Sequence, residues 1–188
     1  MFEKFEKGTE VLSAEHRVIE RGLDILEKMM GEFEAEGKIV MKDLSDLIDF
    51  VRHFADGCHH AKEEKLLFPA LGQKGMPANS GPVAVMLHEH DSGRQYVRGI
   101  ANGIEKYETQ PAAAKAQIIQ NATGYIALLR QHIFKEDNIL FPMADSMMDS
   151  DEQKKMIADF ERTEKEEIGS GVHEKYHEMI EELEKKYS

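Results

Sequence analysis

Two stretches decide how this chain is read: HHAKEEKLLFP, from His59 to Pro69, and QHIFKEDNILFP, from Gln131 to Pro142. Aligned on Leu-Phe-Pro, His59 falls on His132, Lys62 on Lys135, Glu63 on Glu136 and Glu64 on Asp137. The offset is 73 residues in every case, from 59 to 132 as from 63 to 136. The repeat extends upstream: LSAEHRVIERGL around His16 is echoed by MLHEHDSGRQYV around His90, each led by Glu-His. The chain therefore reads as two hairpins, each with Glu-His on its first helix and His-x-x-x-Glu on its second.

The surrounding periodicity is helical. His16, Ile19, Leu23, Leu26, Met30 and Phe33 recur at spacings of three and four, one face of a helix predicted over about Thr9 to Phe33. A second helix is predicted from about Met41 to Ala70, with Ile48, Val51, Ala55, His59, Glu63 and Leu66 on its inner face. The Gly- and Pro-rich stretch Leu71 to Pro82 reads as a loop. Pro82 opens a third helix carrying Val83, Met86, His90, Val97 and Ile104 inward, and Pro111 opens a fourth. The fourth helix has the stripe Ile118, Ala122, Tyr125, Leu129, His132, Glu136 and Ile139, and Pro142 is expected to kink or end it. Ser150 with Gln153 resembles a capping box, and a charged helix follows the Gly169–Gly171 break. The expected fold is all-α: an up-down four-helix bundle over residues 1–148, with a C-terminal helical extension over 149–188 packed on or over it.

Residues four apart on a helix differ by about 40° of rotation, so His59 with Glu63 and His132 with Glu136 project to the same side. That side is the apolar one, and a buried carboxylate costs several kcal/mol unless it is paired or bound to a cation. No Lys or Arg shares either stripe, so divalent metal ions are the expected counter-charge. Imidazole with carboxylate suits iron, manganese or zinc better than calcium or magnesium. Four His and two Glu exceed a closed tetrahedral zinc site and suit two metals bridged by carboxylates.

At Glu15-His16, His59-x-x-Lys62-Glu63, Glu89-His90, His132-x-x-Lys135-Glu136 and the twin Leu-Phe-Pro endings, the sequence resembles the hemerythrin-like HHE cation-binding family. The resemblance covers roughly residues 10 to 145. It implies a four-helix bundle around a non-haem centre of two iron ions, with manganese or zinc as lesser alternatives. The implied metal ligands are His16, His59, Glu63, His90, His132 and Glu136, the two glutamates bridging. His16 and His59 would serve one half, and His90 and His132 the other. The chain departs from the invertebrate oxygen carriers of that family: Arg94 stands four residues after His90, where they carry a second histidine. An Asp five residues after the last His, as in those carriers, is present as Asp137, but the internal repeat favours Glu136.

Other residues carry weaker signals. His60 with Glu64 forms a rival His-x-x-x-Glu pair, and Glu64 and Asp137 otherwise point about 100° away, to a supporting or surface position. His88 is expected to face another helix or water, and His53 the surface. His173 and His177 are four apart on a charged helix, a solvated face by preference; with Glu167 they could instead fold over the open end of the bundle. Cys58 and the eleven Met read as core filler, and Tyr96 and Tyr125 as packing or as donors near the metals.

Composition bounds the partners. A formal net charge of −12 over 188 residues argues against nucleic acid and anionic membrane as partners. One cysteine permits no internal disulfide, no stretch approaches the ~20 apolar residues of a membrane span, and MFEKFEKGTEVL lacks a signal-peptide segment, so a cytoplasmic location is expected. The expected role is binding of O2, NO or peroxide for sensing, storage or detoxification. The alternatives are an enzyme reducing NO or peroxide and an iron sensor or donor acting through a protein partner. The sequence leaves open whether the protein is an enzyme and what its oligomeric state is.

Overall fold

The computed structural model describes residues 5–169 and 171–187, apart from the side chains of Glu167 and Ile168. Its first helix, α1, spans Gly8–Glu36 and ends where Gly37 takes a left-handed φ of 68° and donates its N–H to the Phe33 carbonyl. The second, α2, runs unbroken over 41–73: α-helical at Met41–Phe50, π-helical at Val51–His60 and again at Glu63–Leu67, then α-helical at Phe68–Gln73. Helix α3 spans Gly81–Lys106. Helix α4 covers 111–147, with a π turn at Glu136–Leu140 before its last segment, Phe141–Met147. Helix α5, Ser150–Thr163, continues into a π turn at Glu164–Ile168, and α6 spans Val172–Lys186. Among the described residues there is no strand.

The π turns explain the doubled Leu-Phe-Pro. Phe68 N–H reaches back five residues to the Glu63 carbonyl, and Phe141 N–H does the same to Glu136. A turn bonded i to i+5 is wider than an α turn and leaves room for a residue with no N–H. Pro69 and Pro142 thus open the next α segment. Contrary to the sequence reading, Pro142 does not end its helix; α4 continues to Met147.

The same turns shift the inner face by one residue. Leu66 and Ile139 were expected inward, but Leu67 and Leu140 are buried in their place, and Ile139 is 49% exposed. The loop predicted over 71–82 is shorter, because α2 persists to Gln73 and α3 begins at Gly81. The cap of α5 is Asp149 with Glu152, one residue before the predicted pair; Asp149 accepts from the N–H groups of Asp151 and Glu152.

The apolar core forms two sets of packed side chains. One set, with Leu23, Leu26, Phe33, Phe50, Phe54 and Ile118, fills one part of the bundle. The other, with Leu12, Leu67, Phe68, Met86, Phe141 and Phe160, fills the opposite part. On α1 these sets are separated by Glu15 and His16, so a polar layer crosses the interior between them. Helices α3 and α4 approach closely at Gly103, where an added Cβ would lie 2.5 Å from Cγ1 of Ile118. The C-terminal helices are tied to α1 and α2: Gly8 N–H of α1 donates to Gln153 at 3.0 Å, and Tyr187 Oη donates to Asp43 of α2 at 2.7 Å.

Phe160 of α5 is fully buried against α1 and the Leu67–Phe68 segment's apolar set. Phe160→Ala should lower unfolding free energy by about 3–5 kcal/mol, read from the urea midpoint. A change below about 1 kcal/mol would mean that α5 does not share the bundle's core.

Candidate metal centre

All six side chains singled out by the repeat lie in the polar layer. His16, His59, Glu63, His90, His132 and Glu136 are each no more than 1% exposed. Donor atoms of His16, His59, Glu63 and Glu136 lie within 4.8 Å of one another. A second group under the same limit is His60, Glu63, His90 and His132, so Glu63 belongs to both. Glu136 stands next to both His16 and His132, 3.2 Å from the Nε2 of each.

His60, which spacing offered only as the partner of Glu64 in a rival ligand pair, also joins the layer. It does not pair with Glu64; it turns inward beside its neighbour His59 and stacks on His90 at 3.9 Å between ring centroids. Two adjacent residues of a regular α-helix project about 100° apart, but His60 ends the ten-residue π segment, whose extra residue per turn brings both imidazoles into the layer. The adjacent His-His pair was visible in the sequence; the π segment that makes both useful was not.

Each imidazole is held from behind by a carboxylate, and these supports obey the internal repeat. His59 Nδ1 lies 3.0 Å from Glu15, and His132 Nδ1 lies 3.0 Å from Glu89. His16 Nδ1 lies 2.8 Å from Asp137, and His90 Nδ1 lies 2.7 Å from Glu64. His60 Nδ1 faces Asp56 at 3.3 Å. An ionised carboxylate only accepts, so each Nδ1–H donates outward and each Nε2 lone pair is aimed into the layer. This accounts for the doubled Glu-His motif and for Glu64 and Asp137, which support histidines of the other half. Further out, Lys62 binds Glu15, Lys135 binds Glu89, Arg17 binds Asp137, and Arg94 binds Asp56 and Glu64.

Cations therefore surround the layer, and none sits at its centre. Buried Nε2 of His16 and His59 and both oxygens of Glu63 and Glu136 make no hydrogen bond. His90 Nε2 and His132 Nε2 lie 3.2 Å apart, both on the inward side of their rings. Burial and the adjacent Glu136 push Glu63 well above the usual carboxylate range. Burial pushes Glu136 up too, but His132 and His16 outweigh it and hold that carboxyl well below the usual range. Burial carries His59 down to about 4, whereas Glu136 and Glu89 outweigh burial at His132 and raise it to about 9. Converging lone pairs and two crowded carboxylates in an apolar bundle are the donor set that divalent cations satisfy.

The two halves are unequal. Lys62 is fully buried and also binds Glu164 of the C-terminal segment at 3.0 Å, whereas Lys135 is 31% exposed. His173 approaches Glu15 at 3.9 Å and packs on Phe54 and His177, so α6 does lie over the first half. The side chain of Glu167 lies outside the described residues. His53 is exposed and hydrogen-bonds the Asp49 carbonyl at 2.9 Å, a surface role as expected. Cys58 is buried, its thiol pushed up to about 12 by burial and Glu15. No helix among the described residues is long and apolar enough to cross a membrane.

Comparison with known proteins decides the family. The model of the hemerythrin HHE cation-binding domain matches residues 7–144. The chain belongs to that family. It is similar to the iron–sulfur cluster repair protein YtfE of Pectobacterium atrosepticum, 41% identical over 90 residues, which is 46% of this chain and 40% of that protein. The YtfE of Pectobacterium carotovorum is 40% identical over the same shares. An uncharacterised protein of Mycobacterium tuberculosis, Rv1995, is 24% identical over 176 residues, 94% of this chain and 68% of its own. The match to the YtfE proteins thus spans well under two thirds of their length. No solved structure matches the chain.

Glu15 supplies a test of the supporting network. Burial raises its carboxyl, but Lys62 and His59 outweigh this and hold it at about 2, below the ordinary 4.5. A depressed carboxyl stabilises the fold above 4.5, and that stabilisation is lost as pH falls through about 2. Glu15→Gln in metal-free protein should cost about 1.5–3 kcal/mol at pH 7, by removing one of the carboxylates that buried Lys62 binds and leaving Glu164 as another. It should also flatten the change in stability between pH 4.5 and 2. Urea titrations across that range check both, and an unchanged acid limb would contradict the assignment.

Proposed function

We propose that this protein holds two metal ions, iron by preference, in the polar layer and binds a small molecule such as O2, NO or peroxide there. The single observation that carries this reading is the convergence on one buried layer of five imidazoles and two glutamates whose oxygens make no hydrogen bond. His16, His59 and Glu136 would hold one ion, His60, His90 and His132 the other, and Glu63 would reach both. The family supports a cation, and similarity to proteins named for iron–sulfur cluster repair supports iron.

Bound iron would supply an electron-rich centre with a position open to a small ligand. The protein's own part is to orient the ligating nitrogens. Each Nδ1–H is fixed by a carboxylate, so each Nε2 lone pair keeps its direction without rearrangement. The apolar sets on either side exclude water from the layer. The C-terminal segment covers the Glu15–Lys62 side, leaving the His60 side as the approach for a ligand.

A second reading is iron release to a protein acceptor, favoured by the similarity to proteins named for iron–sulfur cluster repair. Turnover of NO or peroxide at the same centre is the catalytic form of the first reading. Elemental analysis with optical spectra before and after reduction and air exposure tests both. About two irons per chain and a reversible spectral change support ligand binding. Bleaching with iron appearing in a chelator supports release. His60→Ala should retain about one ion in place of two; full retention of both would remove His60 from the ligand set.

A further inference from the structure

A cavity of about 180 Å³ opens onto only one of the two donor groups. His60, His90 and His132 line it, whereas His16 and His59 do not. Its walls are apolar: Val51, Val97, Tyr125 and Leu129, all buried, with Gly93 on α3 leaving the surface open. Arg94 and Asp56, bound to each other and about one-third exposed, stand at its outer side.

The size is informative. An apolar cavity of about 150 Å³ takes up a benzene-sized molecule, so this one has room for a body of roughly six carbons. A diatomic ligand would leave most of it empty. The inner walls offer little to a polar body, and the polar groups at the floor are the three imidazoles, with Glu89 behind His132. At the rim Arg94 is committed to Asp56, Glu64 and Asp91, and the exposed Arg52 and Arg98 complete the charged outer lining.

We propose that the cavity is a binding site for a small organic molecule with an aliphatic body of about four to six carbons and one oxygen-donor head. The body lies along Val51, Val97 and Leu129, and the head reaches the His60–His90–His132 floor. Carboxylates and organic hydroperoxides share this chemistry. The head's preference for the floor rests on the metal reading above; the fit of the body rests on the cavity alone.

The test is calorimetric titration of the full chain, metal-loaded and metal-free, with straight-chain carboxylates from acetate to decanoate. Burying each methylene should tighten binding about fourfold, so hexanoate should exceed acetate on the order of a hundredfold, with no further gain beyond about seven carbons. Val97→Phe fills the cavity and should erase the gain from chain length, so that hexanoate binds no more tightly than acetate. Gly93→Ala is a milder second variant, since its Cβ would lie at ordinary contact distance, 3.5 Å from the Tyr125 ring, and it should shift the preferred length down by about one carbon. A chain-length gain with the same affinities in metal-loaded and metal-free protein would retain the cavity and remove the metal from the head's binding. Equal affinity for acetate and hexanoate in metal-loaded protein would overturn the cavity assignment and leave the metal reading standing. Butyl hydroperoxide separates the two sources: its consumption by reduced, iron-loaded protein, with butanol formed, assigns a hydroperoxide, and unreactive binding assigns a carboxylate.

Discussion

Two glutamates, Glu63 and Glu136, meet in the middle of an apolar bundle with no lysine or arginine between them. Everything else in the interior follows from that crowding. Left alone, one carboxyl must take up a proton, which is why burial and Glu136 drive Glu63 upward. His132 and His16 stabilise the Glu136 carboxylate, but nothing comparable offsets burial at Glu63. The arrangement is costly as a bare protein and favourable around cations.

The supporting carboxylates show how two copies of one hairpin build a shared centre. Glu15 and Glu89 support the histidine on the next helix of their own half. Asp137 and Glu64 support the histidine of the opposite half. The halves are thus interlocked through charge as well as packing, and neither could present its histidines correctly without the other. Duplication has since become unequal: His60 has Ile133 as its counterpart, and the C-terminal helices cover only the Lys62 side.

The bundle, its helix starts and the six repeat-matched residues were legible because they depend on periodicity and on unusual residue types along an apolar stripe. The π turns were not legible, and the misplacements around the centre trace to them. A spacing rule built on 3.6 residues per turn selected Leu66 and Ile139, whereas the wider turn buries Leu67 and Leu140. The same rule offered His60 only as a partner of Glu64, and expected Pro142 to kink or end a helix that continues to Met147. Doubled Leu-Phe-Pro after His-x-x-x-Glu was the available signal: a proline inside an otherwise strong helix needs a local widening to sit there.

The central claim is that the buried layer holds two cations astride Glu63. Anomalous diffraction at the iron edge from crystals of the iron-loaded chain tests it most directly. The account predicts two peaks per chain, one among His16, His59 and Glu136 and one among His60, His90 and His132, with Glu63 touching both. A single peak, or peaks only at Glu15, Glu164 and His173, would contradict it.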